Sequence, residues 1–253
     1  MRFYLGTHET SWLGRSGVPL FVSAPRLRRR KRAPRAVSAW ALDSGGFSEL
    51  SKHGRWSVGP NQYADEVMRW ADEAGSLDWA APQDWMCEPV IRAETGLTVE
   101  AHQERTIASV LRLRELVRGT HIVPVLQGWA IPDYVACVRR YEAAGIRLQD
   151  EPVVGLGTVC RRQGTKEGAA IVRTLASAGI RLHGFGFKLT GLRAVGHLLE
   201  SSDSLAWSYA ARKVPPMPGH THKSCANCMP FAMAWRGRVV TPRELPAQVE
   251  LFT

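Results

Sequence analysis

Eight short apolar runs, most of them separated by amphipathic helical patterns, constrain this chain more than any single motif does. They occupy 3–8, 19–24, 39–43, 77–81, 122–127, 152–157, 182–187 and 205–209, and most end in Gly, His, Asp or Gln. From the third run onward helical patterns intervene. The first covers 61–74 and carries Tyr63, Val67, Met68, Trp70 and Ala71 on one face. The next, 99–117, carries Ile107, Val110, Leu111, Leu113 and Leu116. Another opens at Pro132 and closes at Gly145, a fourth covers 166–178 before Gly179, and a fifth covers 189–199. Strands alternating with helices predict a parallel sheet with crossovers. Eight such strands within about 210 residues predict an α/β fold, a compact (β/α)8 TIM barrel whose first crossover lacks a clear helix. A doubly wound open sheet is the alternative, but no G-x-G-x-x-G follows the first run. The expected division is a barrel over 1–212, with a basic loop at 26–35, and a small zinc-binding segment over 213–253 packed on it.

In such a barrel the C-terminal strand ends line the active site. Here they carry Asp43, Asp84, Gln127, the glycines at 155–157 and the 183–186 segment, with Asp203 just before the last run. The stretch Asp43-Ser44-Gly45-Gly46-Phe47 delivers a carboxylate to a turn where the backbone bends tightly. It also reads as an ordinary strand-to-loop junction with a capping Asp. Two carboxylates at one mouth, Asp43 and Asp203, suit glycosidic chemistry, one attacking and the other moving protons. Asp84, Gln127 and the backbone of Gly155 and Leu156 have the acceptors and donors that read the edge of a purine-like base. Phe47 supplies a face for stacking. Bland roles stay open for several of these: a turn cap for Asp203, a loop tie for Gln127, a buried barrel histidine for His183. Glu88 reads as a surface residue, and Trp85, Trp129 and Trp207 read equally as packing or as stacking platforms.

The formal net charge of +10 favours a polyanionic partner such as nucleic acid. Part of it lies in Arg28-Arg29-Arg30-Lys31-Arg32, either a phosphate-contacting arm or a solvated loop. No stretch approaches the about 18 apolar residues of a membrane span. Five cysteines, only two of them close together, argue against a disulfide framework and for a reducing cytoplasm. That close pair follows a rigid connector, Pro215-Pro216-Met217-Pro218-Gly219. His220, His222, Cys225 and Cys228 then fall within nine residues, enough nitrogen and sulfur to close a tetrahedral Zn2+ site. A redox dithiol is the other reading, although that motif normally opens a helix after a strand.

Taken in order, Asp43-Ser44-Gly45-Gly46-Phe47, Asp84, Gln127-Gly128, Gly155-Leu156, His183-Gly184-Phe185-Gly186, Asp203 and the knuckle resemble the queuine/archaeosine tRNA-guanine transglycosylases. The match in order and spacing runs from about 37 to 235. The short chain, its Leu5-Gly6-Thr7-His8 opening and its Ser202-Asp203-Ser204 segment are more similar to the phage and bacterial 7-deazaguanine DNA transglycosylases. The resemblance implies a base exchange in DNA. Asp203 would attack the sugar C1′ and displace guanine, and Asp43 would handle protons as a free 7-deazaguanine attacks. Ser44, Phe47, Asp84, Gln127, Gly128, Gly155, Leu156 and His183 would form the base-binding set. Exchange in tRNA, or a non-catalytic zinc-containing nucleic-acid-binding protein, are the alternatives. Three departures stand out. Ser48 replaces a family glutamine, no acid follows Gly155-Leu156-Gly157, and two His with two Cys replace three Cys with one His. The missing acid points to an uncharged 7-substituent, as in preQ0.

Overall fold

The computed structural model describes residues 1–240; the expected tail beyond Val240 lies outside the described residues. Eight parallel strands form one sheet: β1 (Arg2–Thr7), β2 (Leu20–Ser23), β3 (Trp40–Asp43), β4 (Leu77–Ala80), β5 (Val125–Leu126), β6 (Val154–Leu156), β7 (Leu182–Gly184) and β8 (Leu199–Ser204). Their order, β4-β3-β2-β1-β8-β7-β6-β5, is that of a barrel cut between β4 and β5, not that of a doubly wound sheet.

The closed barrel expected from the sequence is therefore not reached. At the seam the ladder shrinks to one parallel bridge, Ala80 to Ile122. Among the described residues, the backbone hydrogen bonds that cross it are Ala80 N–H to the His121 carbonyl (2.9 Å) and Val123 N–H to the Ala80 carbonyl (3.1 Å). Beyond that bridge the next seam-facing residue of the β4 side is Pro82, which has no N–H to give, and the N–H and C=O of Val125 are both taken by the Tyr141 hydroxyl at 3.0 Å, which stops the ladder there. The sheet nonetheless curls on itself. Trp79 of β4 meets His183 of β7 at 4.7 Å between ring centroids, and Tyr4 of β1 meets Trp79 at 5.8 Å. Tyr4, Ala41, Trp79, Val125 and Val153 fill this interior with Phe21 and Phe185.

Helices cover the outer face. They are α1 (Ala24–Leu27), α2 (Gly46–His53), α3 (Pro60–Ala74), α4 (Pro89–Thr95), α5 (Val99–Leu116), α6 (Ile131–Ala143), α7 (Lys166–Ser177), α8 (Leu189–Val195), α9 (Ala206–Ala211) and α10 (Met229–Val240). The apolar stripe of α3 (Tyr63, Val67, Trp70) packs against Leu20, Val22, Trp40 and Leu42 of β2 and β3. Val110, Tyr134, Ile171 and Leu175 do the same over Leu126, Val154, Leu156 and Leu182. The segment after β8 returns to the sheet, with Trp235 of α10 6.1 Å from Phe3. Among the described residues no helix is long and apolar enough to cross a membrane.

The eighth strand lies earlier in the chain than the apolar pattern predicts. The run 205–209 is not the eighth strand; it begins α9, and the strand is the polar Leu199–Ser204 before it. Its inward residues are polar, so no apolar alternation marks it. The register slips between β7 and β8, pairing Leu182 with Leu199 and then His183 with Ser201. The extra residue, Glu200, leaves Leu199 in the outer core and turns Ser201 and Asp203 inward, as bulges beside functional sites do.

Candidate active site

β3 ends in Asp43, and the chain turns at once through Gly45, whose φ is +84°. A Cβ there would stand 2.6 Å from the Pro25 ring, so only glycine fits. The turn aims the Gly45 N–H at Asp43 Oδ1, 3.1 Å away. Burial pushes the Asp43 carboxyl up to about 6 against the pull of that N–H, and the charge of Asp203 adds to the rise.

Asp84 follows β4 and accepts a 2.6 Å hydrogen bond from Gln127 Nε2. Burial pushes Asp84 up to about 7, and the charge of Asp43 pushes the same way. Ser44, itself buried, donates from Oγ to Asp84 Oδ1 at 3.5 Å. The Gln127 amide is fully buried and fixed from its other end by Thr158 Oγ1, 2.6 Å from Oε1. Thr158 sits at φ +58°, a strained conformation for a threonine and one found at functional sites.

Asp203, one residue before the end of β8, is 6% exposed. Its Oδ1 accepts from the Gly186 N–H at 2.9 Å and lies 3.3 Å from His183 Nε2. His183 Nδ1 in turn lies 2.8 Å from Ser201 Oγ. A ring that donates from Nε2 accepts from Ser201 at Nδ1, so one oxygen of Asp203 is held from two sides. No hydrogen bond reaches its Oδ2 among the described residues.

Asp43, Asp84 and Asp203 share one cleft of about 470 Å³ at the C-terminal strand ends, within the usual range of small-molecule sites. Phe47 lines it too, 40% exposed, with the Arg161 guanidinium 4.7 Å from its ring centroid. Other expected base readers lie elsewhere. Gly155 gives its N–H to the Pro124 carbonyl at 2.8 Å within the sheet, and Leu156 points into the outer core. Gly128 is packed under the first turn of α6, against Asp133 and Tyr134. The residues that do face the cleft here are the two that follow β6, Gly157 and Thr158. Gln127 and His183 stand behind the wall, fully buried, and reach the cleft only through their contacts with Asp84 and Asp203.

Glu88, read from sequence as a surface residue, is 8% exposed and lines the cleft. Burial raises its carboxyl above the usual range, opposed by Arg161 and Arg162. No periodicity could have found it, because 81–88 is irregular chain between β4 and α4. His8, at the end of β1, also lines the cleft. Trp85 and Trp207 are buried packing residues, whereas Trp129 is 38% exposed and carries the Arg162 guanidinium over its ring.

The basic run is divided. Arg28 is committed to Glu66 through a 2.7 Å ion pair and lies 3.9 Å from Glu49, which takes it out of the expected phosphate arm. Arg30 reaches Thr10 Oγ1 from Nε at 2.8 Å, and Arg29, Arg30, Lys31 and Arg32 are exposed.

The candidate metal centre lies apart from the cleft. Donor atoms of His220, His222, Cys225 and Cys228 lie within 4.8 Å of one another. His220 Nδ1 is 3.3 Å from His222 Nε2, 3.6 Å from Cys225 Sγ and 3.5 Å from Cys228 Sγ. Four ligands at ~2.0–2.3 Å from one tetrahedral ion are separated by edges of roughly 3.3–3.8 Å. The donor set therefore fits a metal ion, with both histidines included, although His222 Nε2 stands closer to Cys225 Sγ, at 3.0 Å.

An eight-stranded parallel sheet with carboxylates gathered at its C-terminal strand ends defines an α/β protein built around a strand-end cleft. Within that class the chain belongs to the DpdA family, deoxypurine in DNA protein A, a family of DNA guanine transglycosylases whose model matches residues 1–250. No curated protein matches the chain in sequence. Among solved structures it is similar to a candidate isomerase from Sinorhizobium meliloti, in an open-loop conformation, at 12% identity and a TM-score of 0.40. That likeness covers 80% of this chain and 49% of the other, so the chain spans about half the length of that protein.

Proposed function

We propose that this protein exchanges guanine in DNA for a free 7-deazaguanine base through a covalent bond to Asp203. The observation that carries the reading is the asymmetry of Asp203: Oδ1 is held by Gly186 and His183 and Oδ2 is left without a partner. In the first step Oδ2 attacks C1′, the C1′–N9 bond breaks, and guanine leaves with the bonding pair and takes a proton from solvent water, to which Asp43 later returns the proton it accepts in the second step. In the second, N9 of the incoming base attacks C1′ and frees the carboxylate, while Asp43 accepts the N9 proton. A carboxyl near 6 is poised for that transfer at neutral pH. Two displacements at one carbon retain configuration and leave the strand uncut.

Asp84, ionised and steered by Gln127, accepts from the base's N–H edge. Gly157 and Thr158 take the place first assigned to Gly155 and Leu156, and Phe47 offers its face to the base. The four-donor cluster holds a structural Zn2+ that ties the 213–240 segment together. Incubation with labelled guanine or preQ0 tests the exchange: label enters duplex DNA and not tRNA. Entry into tRNA alone favours the tRNA enzyme, and no entry into either removes the catalytic reading.

A further inference from the structure

We propose that His8, Arg26, Arg212 and Lys213 form a phosphate track along one rim of the cleft, and that this track sets which way round a nucleotide enters. The inference rests on DNA being the substrate and adds the groups that hold its backbone.

The ladder places β1 between β2 and β8. His8 follows β1, Arg26 lies in α1 just beyond β2, and Arg212 caps α9 just beyond β8. Three consecutive strand ends therefore bring a cation or an imidazole to the side of the cleft where Asp203 stands. The charges of Arg26 and Arg212 reach His8: after burial, they hold its imidazole below the usual range, against the single acid beside it, Glu9. Among the described residues neither arginine nor Lys213 has a carboxylate in ion-pair range, unlike Arg28 with Glu66. Cations gathered without counter-charges repel one another and are retained where an anion comes to them. Tyr209, 66% exposed on α9 with the Lys213 ammonium 5.3 Å from its ring centroid, adds an aromatic face to the same rim.

The opposite rim carries the acids: Asp43, Asp84 and Glu88 line the β3–β4 side with raised carboxyls, and the arginine that lines the cleft there, Arg161, is engaged by the Phe47 ring and the Glu88 charge. A phosphate there would meet carboxylates, whereas a base edge rich in N–H donors would be welcome. A nucleotide therefore enters with its base toward Asp84 and its phosphates toward His8 and Arg26, which brings the sugar to Asp203.

The test is fluorescence anisotropy of a duplex oligonucleotide across a KCl series, with calorimetry of free guanine alongside. Each lost phosphate contact lowers the slope of log K against log salt by ~0.9. Arg26→Ala/Arg212→Ala should lower the slope by about two and weaken binding at least tenfold, with guanine affinity unchanged. Arg26→Lys/Arg212→Lys should keep the slope, as should Arg173→Ala on the remote α7. An unchanged slope in the double alanine variant, or an equal fall in Arg173→Ala, overturns the track. Base exchange by the wild type is scored separately: a slope change without exchange sinks the enzymatic reading and leaves the track standing.

Discussion

Gln127 gives its amide N–H to Asp84 at 2.6 Å while Thr158 holds the other end of that amide at 2.6 Å. A fully buried side chain that never meets the cleft thus decides how a cleft carboxylate is turned. Gly157 makes this possible, because a Cβ at that position would collide with the Gln127 amide. Gly157→Ala should displace Gln127 and weaken free guanine binding roughly tenfold or more, the worth of one charge-assisted hydrogen bond. Calorimetry with guanine measures it, and unchanged affinity would detach Gln127 from base reading.

Exchange should be pH-dependent with a definite sign. Asp43, near 6, must be ionised to take the N9 proton, and Asp84, near 7, must be ionised to accept from the base. The rate should climb as pH rises through 6 and 7 and level off above. Exchange rates from pH 5 to 9 check this; a profile falling over that range would reverse the protonation states assigned.

The same shift has a cost in stability. The Asp84 carboxyl stands near 7 in the fold against 3.8 without it. At pH below that lower value it is protonated in both states and costs nothing. As pH rises toward 7 the unfolded chain ionises first, so native stability falls. Asp84→Asn should therefore be more stable than the wild type at pH 8, by on the order of 2 kcal/mol, and no more stable at pH 4. Thermal melts at the two pH values measure the difference, and exchange should be lost.

How far this site was legible depends on what each residue touches. Asp43 and Asp84 announced themselves because a carboxylate at or just after the end of an apolar run is costly to bury without a purpose, whereas Asp203 stood out only through its place in the ordered family pattern. β8 was hidden, since a strand whose inner face is Ser201 and Asp203 has no apolar alternation to read. Closure of the sheet was overestimated because Pro82 ends the β4 side of the seam and the Tyr141 hydroxyl takes the Val125 backbone, neither of which the apolar pattern of the runs reveals. Gly155 and Leu156 were placed two residues short of the cleft, an offset that only the β6 register reveals. Glu88 left no mark at all, as its burial arises from irregular chain folding across the cleft mouth.

The metal cluster should act on folding rather than on chemistry. Cys225 is fully buried beside Ala211 of α9, and Ser224 Oγ donates to the Ala211 carbonyl at 3.1 Å, so the knuckle joins α9 to α10. Purified protein should hold about one zinc per chain, and chelation or Cys228→Ser should lower the melting temperature by several degrees. Metal analysis with thermal melts checks this. Full stability without metal would return the four residues to a redox or incidental role.

His183 should matter through Asp203 alone. His183→Phe keeps an aromatic ring among Trp79, Phe185 and Tyr4 but leaves Asp203 Oδ1 with Gly186 only. Exchange kcat should fall roughly 10²-fold with KM for the base little changed, the usual effect of removing one preorganised donor. A larger effect on KM than on kcat would move His183 into base binding.

Mass spectrometry of protein quenched in acid after mixing with duplex DNA reads the covalent bond to Asp203 itself. A DNA adduct should sit on the peptide containing Asp203, present in wild type, accumulating in Asp43→Asn when no incoming base is supplied, and absent in Asp203→Ala. An adduct mapped to another residue, or full base exchange by Asp203→Ala, would contradict that bond.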